Sequence, residues 1–155
     1  MKAIVVYYSR SGNTKKLGNF ISDSLACPAE EIIDLTNRTG VMGYLNGGRD
    51  AMQRKLTQIK PTVQDFSKFD LVIIGTPVWA SNMTPAIRTF LTQNKGLLKK
   101  VAFFCTAGGK NEGATFKEMK LLSLVPKATL LLTTQEMQTG KFVEKANEFV
   151  KTLKQ

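Results

Sequence analysis

One short segment near the start of the chain brings together several groups suited to binding an anion. It reads Ser9-Arg10-Ser11-Gly12-Asn13-Thr14 and runs directly into a stretch of helical periodicity. Three hydroxyls, an amide, a guanidinium and consecutive backbone N–H groups lie here, and the following helix adds the positive end of its dipole. Gly12 permits close approach of the backbone to a bound group. The segment predicts a phosphate-binding loop formed by Ser9, Arg10, Ser11, Gly12, Asn13 and Thr14.

The better-known phosphate loops do not fit this segment. The nucleoside triphosphatase pattern GxxxxGK[ST] and the dinucleotide pattern GxGxxG are both absent from it. A tyrosine phosphatase of low molecular weight needs a cysteine that opens the loop, and a response-regulator receiver needs acidic residues where Tyr7 and Tyr8 stand. An ordinary helix cap is the simpler interpretation, although it accounts for only one of the hydroxyls.

The composition of the 155-residue chain excludes several kinds of chemistry. There is no histidine, so one chain by itself cannot perform Ser-His-Asp hydrolysis or HExxH peptidase chemistry. The two cysteines, Cys27 and Cys105, form no CxxC pair, and we expect them to be reduced thiols without zinc or an iron–sulfur cluster. We therefore expect no catalytic side chain and no metal site, and redox chemistry would fall to a bound cofactor.

Five short, mostly apolar runs alternate with segments of helical periodicity. A parallel sheet covered on both faces requires such continuous apolar strands. The pattern predicts an α/β fold, a doubly wound five-stranded parallel sheet with helices on both faces. The predicted strands are Ala3–Tyr7, Glu30–Leu35, Leu71–Gly75, Val101–Cys105 and Thr129–Thr134.

Helix boundaries are clear at three places. We expect one helix from about Thr14 to Ala26, a second that begins with Thr84 as N-cap and Pro85 at its first position, and a last helix with an apolar stripe from Phe142 to Leu153. No repeat or linker divides the chain, which predicts a single domain over residues 1–155.

Residues 36–65 fit the alternating pattern poorly. They contain four glycines and are longer than a crossover needs, so we expect an irregular loop with a short helix near Asp50–Leu56. Such a loop is either a binding loop or a surface insertion without a role.

Ligands of a doubly wound sheet bind outside the carboxyl ends of its strands. Gly75-Thr76-Pro77-Val78-Trp79 follows the third strand, and Thr106-Ala107-Gly108-Gly109 follows the fourth. Trp79 offers a flat apolar face for stacking on a ring, or else belongs to the core. The two glycines let backbone N–H groups approach a ligand.

The segment Val5–Thr14 resembles the phosphate-binding motif of the flavodoxin family at every position: aliphatic residues, aromatic residues, Ser/Thr, a small residue and a final Thr. The likeness extends over the whole chain, because the loops after the third and fourth strands fall in register with it. The fifth strand is expected to lead directly into the last helix, as in the short-chain type. The resemblance implies a flavodoxin-like fold with strand order 2-1-3-4-5 and noncovalently bound FMN.

The resemblance also implies how FMN would lie. Its phosphate would occupy the first loop and its isoalloxazine ring would lie between the loops after strands three and four, with Ala80, Ser81 or Asn82 beside the flavin N5. FMN is expected instead of FAD because nothing resembles an adenine site. Besides the first loop, the implied cofactor-binding residues are Thr76, Pro77, Val78, Trp79, Ala80, Ser81, Asn82, Thr106, Ala107, Gly108 and Gly109.

Two features depart from the family pattern. The loop Thr106–Gly113 has no aromatic residue, so the outer flavin face is either open or covered by Tyr44 or Tyr8. The charge is also unusual, because the chain carries a net charge of +10 and has no acidic residue between Asp70 and Glu112. Lys110 in that stretch is expected to make the reduction potential less negative than in acidic family members.

The resemblance implies an FMN-binding electron-transfer protein. An FMN-dependent NAD(P)H:quinone oxidoreductase or a related flavin reductase is the alternative, favoured by an open flavin face, and a flavodoxin-like domain without flavin is a third. We expect redox-protein partners with acidic docking surfaces, with NAD(P)H or a quinone as further partners, and no nucleic acid. No membrane span or secretory leader is expected, which predicts a cytoplasmic protein.

Overall fold

A computed structural model describes residues 1–155. Its five strands form one sheet in the order β2-β1-β3-β4-β5, and every neighbouring pair is parallel. The predicted doubly wound sheet and its strand order are confirmed. The strands are β1 (Ala3–Tyr7), β2 (Ala29–Glu31), β3 (Leu71–Pro77), β4 (Val101–Ala107) and β5 (Thr129–Thr133).

Six helices and a short 3-10 helix at Phe66–Lys68 connect the strands. The helices are α1 (Asn13–Leu25), α2 (Gly40–Met52), α3 (Pro85–Gln93), α4 (Thr115–Leu122), α5 (Thr134–Thr139) and α6 (Phe142–Lys154). Helix α1 contacts α5 and α6, whereas α3 contacts α2 and α4, so the helices form two layers. None of these helices has both the length and the apolar character needed to cross a membrane.

Two apolar clusters lie on the two sides of the sheet. Successive strand residues point to opposite faces, so Ile74 and Phe103 pack with Phe90 of α3 in one cluster. Their neighbours Ile73 and Phe104 belong to the other cluster, with residues of α1 and α6. The continuous apolar runs of the sequence are therefore explained by burial on both faces.

The predicted second strand, Glu30–Leu35, is wrong in its extent. Only Ala29–Glu31 pairs with β1. Beyond it the chain turns to a different partner, because the Leu35 N–H donates to the carbonyl of Gln58 at 2.8 Å and the Lys60 N–H donates to that of Ile33 at 2.9 Å. An antiparallel contact with residues 58–60 thus replaces the outer part of the expected strand.

The prediction of an irregular loop with a short helix near Asp50–Leu56 is also wrong. Helix α2 has 13 residues, and two of its four glycines, Gly43 and Gly47, face inward. A methyl group added to Gly43 would lie 2.2 Å from the carbonyl carbon of Arg38, and one added to Gly47 would lie 2.7 Å from the Trp79 ring. These glycines therefore serve close helix packing and not a loop conformation.

A third correction concerns the end of the sheet. The fifth strand does not lead directly into the last helix, because α5 lies between them. A capping box starts this helix, in which the side chain of Thr133 accepts from the Glu136 N–H and the Glu136 carboxylate accepts from the Thr133 N–H.

Two glycines of α2 provide a test of its packing. Gly43→Ala is expected to lower the free energy of unfolding by roughly 1–3 kcal/mol because the new methyl meets backbone atoms that cannot move aside. Gly48→Ala places its methyl where no atom lies within 4 Å, and it should raise this free energy by up to about 1 kcal/mol. Urea denaturation of both variants, followed by circular dichroism, measures the difference. Equal effects would contradict the inward orientation of Gly43.

Candidate functional site

The three predicted ligand loops lie together at the carboxyl edge of the sheet. We call Tyr8–Gly12 the first loop, Val78–Thr84 the second loop and Gly108–Ala114 the third loop. The hydroxyls of Thr14 and Thr106, both buried, share a hydrogen bond of 2.7 Å. The Val78 N–H donates to the carbonyl of Thr106 at 2.9 Å. These bonds join the bases of the three loops, so residues far apart in the sequence form one site.

The first loop ends at the uncapped amino terminus of α1. Gly12 is the N-cap residue with φ 98°, a left-handed conformation that glycine adopts at low cost, and no side chain caps the helix. The Gly12 N–H donates to the Ser9 hydroxyl at 3.1 Å, which curls the loop. The first-turn N–H groups of a helix have no acceptor within it. An ordinary side-chain cap is thereby excluded, and these groups are available to an anion.

Two predicted phosphate ligands have other partners in this structure. The Thr14 hydroxyl is buried in its bond with Thr106. The Arg10 guanidinium donates to the carbonyls of Arg38 at 2.8 Å and Gly40 at 3.1 Å, and it lies 5.5 Å from the centre of the Tyr44 ring. Arg10 therefore ties the first loop to the start of α2, whereas Ser11 is exposed and makes no side-chain hydrogen bond.

The second loop contains a tight reverse turn. The backbone groups of Trp79 and Asn82 bond to each other in both directions, at 2.8 and 2.9 Å. Between them, Ala80 and Ser81 have φ values of 45° and 63°. Left-handed backbone costs a non-glycine residue about 1–2 kcal/mol. Strain of this kind occurs often at functional sites, where the surrounding structure holds it in place.

Trp79 lies at the border between the second loop and the core. Its ring is half-buried and meets the ring of Tyr8 edge-on, with the ring centres 5.5 Å apart. It also packs against Gly47 of α2. Burial, together with the charge of Asp34, raises the pKa of Tyr8 to about 12. Tyr8 thus packs against the Trp79 ring, and Tyr44 lies beside Arg10.

The third loop is exposed in the middle and anchored at its end. Gly108 and Gly109 are exposed, and a methyl group added to either would meet no atom within 4 Å. At the far end, the Ala114 N–H donates to the Ser81 carbonyl at 2.7 Å. Gly113 approaches Ser81 so closely that an added methyl would lie 2.4 Å from the Ser81 Cβ. The second and third loops are thus in direct contact.

A buried ion pair lies behind these two loops, and we did not predict it from the sequence. Arg88 of α3 donates to the Glu118 carboxylate of α4 at 3.3 Å. The exposed Arg54 side chain lies 3.2 Å from the same carboxylate oxygen. The only sequence signal is a charged residue inside the apolar stretch of α3. This pair holds together the helices that begin after the second and third loops.

Unsatisfied polar atoms concentrate in the same region. Four buried side-chain atoms lack a hydrogen-bond partner, namely Asn82 Oδ1, Arg88 Nε, Arg88 Nη2 and Thr115 Oγ1. Leaving such groups unpaired is costly, and in natural proteins they mark places where another group completes the structure. Asn82 is the only one of these residues within the predicted cofactor-binding set.

A second charged network fixes the chain before α2. The buried Arg38 side chain lies 3.0 Å from Asp34 and 2.7 Å from Asp50. The hydrogen bond from Arg38 lowers the pKa of Asp50. A cavity of about 630 Å³ borders this network and the first loop. Residues 31–40 line it together with Tyr8, Ser9 and Arg10, and it includes no residue of the second or third loop.

The ion pair behind the loops leads to a prediction. Glu118→Gln is expected to lower the free energy of unfolding by about 3–5 kcal/mol, because Arg88 is then a buried charge without its partner. Arg54→Ala removes the exposed partner of the same carboxylate and should cost no more than about 1 kcal/mol. Guanidinium unfolding curves of the two variants provide the comparison, and a Glu118→Gln variant as stable as Arg54→Ala would contradict this role.

Comparison with known proteins agrees with the fold. A family model described as flavodoxin domain matches residues 47–153. A flavoprotein from Lactobacillus acidophilus, solved in complex with FMN, is 25% identical with a TM-score of 0.74, and the match covers 90% of this chain and 97% of that one. The apo-form of the flavoprotein from the same organism is 25% identical, with 83% and 91% of the two chains covered and a TM-score of 0.66.

A more distant relative shows the same fold. The oxidised flavodoxin 2 from Bacillus cereus is 18% identical, with 98% of this chain and 97% of that one covered and a TM-score of 0.58. The family match alone includes the second and third loops and more than half of the chain. The chain belongs to the flavodoxin domain family.

Proposed function

We propose that this protein binds FMN noncovalently and acts as an electron-transfer protein. The observation that carries the proposal is the uncapped amino terminus of α1, joined through Thr14 and Thr106 to the loops that follow β3 and β4. The FMN complex of the flavoprotein from Lactobacillus acidophilus, similar over 90% of this chain, supports it.

The first loop has the chemistry to hold the phosphate of FMN. Ser9, Ser11 and Asn13 supply polar side chains around the free N–H groups of α1, and the helix dipole favours negative charge there. Arg10 keeps its positive charge beside the loop while its N–H groups hold α2. Thr14 would act by fixing the loop to β4, and a direct bond to phosphate would require its hydroxyl to leave Thr106.

The second and third loops fit the flat ring of a flavin. Trp79 and Asn82 flank the strained turn, and the buried Asn82 Oδ1 is an acceptor without a partner. In the third loop, no atom lies close to the side-chain position of Gly108 or Gly109, so their backbone groups are accessible to a ligand. Thr76, Pro77, Val78, Thr106 and Ala107 would support these loops from the strand ends. FMN supplies one- and two-electron chemistry that the side chains of this chain lack.

A reductase is the second candidate function, and one observation favours it. The third loop carries no aromatic side chain, Tyr8 lies against Trp79, and Tyr44 lies beside Arg10. The outer face of the ring would then be open to NAD(P)H or a quinone. Rapid bleaching of the bound flavin by NADPH, without a separate reductase, distinguishes this enzyme from a carrier.

We further propose a cytoplasmic location, a single domain over residues 1–155 and acidic redox partners. Both cysteines are free thiols, which fits a reducing compartment. Burial raises the pKa of the Cys105 thiol, so this cysteine is unreactive. One sheet covered on both faces supports a single domain. The net charge of +10 favours partners of opposite charge.

The phosphate site can be tested by titration. Apoprotein is expected to quench FMN fluorescence on binding, and riboflavin, which has no phosphate, should bind at least about tenfold more weakly because charge-assisted hydrogen bonds are lost. Ser11→Ala should weaken FMN binding by about tenfold and leave riboflavin binding unchanged. Ser24→Ala, at the other end of α1, serves as the control. Equal affinity for FMN and riboflavin would contradict the phosphate loop, and no quenching by either would contradict the flavin site.

The charge of Lys110 provides a separate test of the redox role. Lys110 is exposed in the third loop and forms no ion pair. Lys110→Glu is expected to make the reduction potential of bound FMN more negative by tens of millivolts, since a nearby positive charge favours the anionic reduced ring and solvent screens part of the effect. Potentiometric titration beside Lys154→Glu, a charge reversal at the opposite edge of the sheet, measures the shift. The same reduction potential in both variants would contradict an effect of the Lys110 charge on the flavin.

A further inference from the structure

A basic surface lies at the edge of the sheet opposite the three loops. Lys99 and Lys100 directly precede β4, Lys127 precedes β5, and Lys154 ends α6. We call these four residues the lysine surface. They line a groove of about 410 Å³ together with Met1, Asp70, Leu153 and Gln155. Three of the four lysines also line an adjoining groove of about 520 Å³.

The positive charge of this surface is only partly balanced. Asp70 is the one acidic side chain that lines the groove of about 410 Å³. The Lys2 N–H donates to the Asp70 carboxylate at 2.8 Å, and this hydrogen bond lowers the pKa of Asp70. None of the four ammonium groups lies within 4 Å of a carboxylate, and Lys127 donates to the Leu153 carbonyl at 3.1 Å.

Exposed aliphatic side chains accompany these lysines. Leu124 and Val125 line the groove of about 520 Å³ with Lys99, Lys100 and Lys127. They belong to the connection between α4 and β5, where Val125 is 71% exposed and Leu124 is 39% exposed. Leu121, in the last turn of α4, is also exposed. Aliphatic groups collected on a charged surface mark a place of interaction.

The chemistry of this surface fits a lipid headgroup region. Lysine ammonium groups meet lipid phosphates, while aliphatic side chains enter the boundary between headgroups and acyl chains. The surface has no arginine for bidentate phosphate recognition and no aromatic residue for stacking on bases. We propose that the lysine surface, with Leu124 and Val125, docks this protein on a bilayer rich in anionic phospholipid.

This docking would determine which way the candidate site faces. The strands run from the lysine surface toward the three loops, and a strand of five to seven residues spans roughly 20 Å. The loops then point away from the lipid and remain accessible to partners in the water. The proposal does not depend on FMN, so its failure would leave the proposed function intact.

Cosedimentation of the full chain, loaded with FMN, tests the proposal. The protein is expected to bind vesicles of about two parts phosphatidylcholine to one part phosphatidylglycerol, and to remain in solution with phosphatidylcholine alone. Lys99→Glu with Lys100→Glu should reduce binding more than tenfold. Leu124→Ser with Val125→Ser should reduce it severalfold, because the inserted aliphatic area is lost. The flavin absorbance of each variant verifies that the fold and the cofactor site are retained.

Lys60→Glu with Lys141→Glu is the matched control. It changes the net charge by the same amount at exposed positions away from the lysine surface, and it should retain most of the binding. Equal losses in the two charge variants would show attraction by overall charge and overturn a specific surface. Equal binding to both kinds of vesicle would overturn the role of the lysines. No binding to either kind would overturn the proposal and leave an acidic protein as the partner.

Discussion

Parallel pairing of β1, β3 and β4 is the constraint on which the candidate site depends. It brings three strand ends to one edge, where the backbone must leave the sheet and find new hydrogen-bond partners. The bond between Thr14 and Thr106 is buried at this edge and joins a helix start to a strand end. Burial of both sheet faces makes the pairing register costly to change. The loops above it can therefore vary in sequence while their bases stay in place.

The candidate site contains strained backbone together with the contacts that hold it in place. Ala80 and Ser81 adopt backbone conformations that favour glycine, and two guanidinium nitrogens of Arg88, Nε and Nη2, have no acceptor. The pairing of Trp79 with Asn82 and the ion pair with Glu118 hold this arrangement. Free energy stored in such a region is available to a ligand that relieves it, which is consistent with a binding role and disfavours a purely structural one.

Elements with a local cause were predictable from the sequence. Four of the five apolar strands and the Thr84 cap with Pro85 stand where we expected them, and the polar loops follow the strands. Helix α2 was not predictable, because glycines such as Gly43 and Gly47 indicate a loop when only the sequence is known. The structure shows that Arg38 and Trp79 pack against these glycines. Buried charge pairs were missed for the same reason. Arg88 and Glu118 come from distant parts of the chain, and only the folded arrangement shows that solvent is excluded from them.

The position of Trp79 has a consequence for spectroscopy. It is the only tryptophan of the chain, and it touches the core, helix α2 and the second loop at once. Tryptophan fluorescence therefore originates from one side chain, without overlapping signals from other tryptophans. A change in intensity or wavelength would report an event at the junction of these three elements. The molecule thus carries a built-in optical probe at the border of its candidate site.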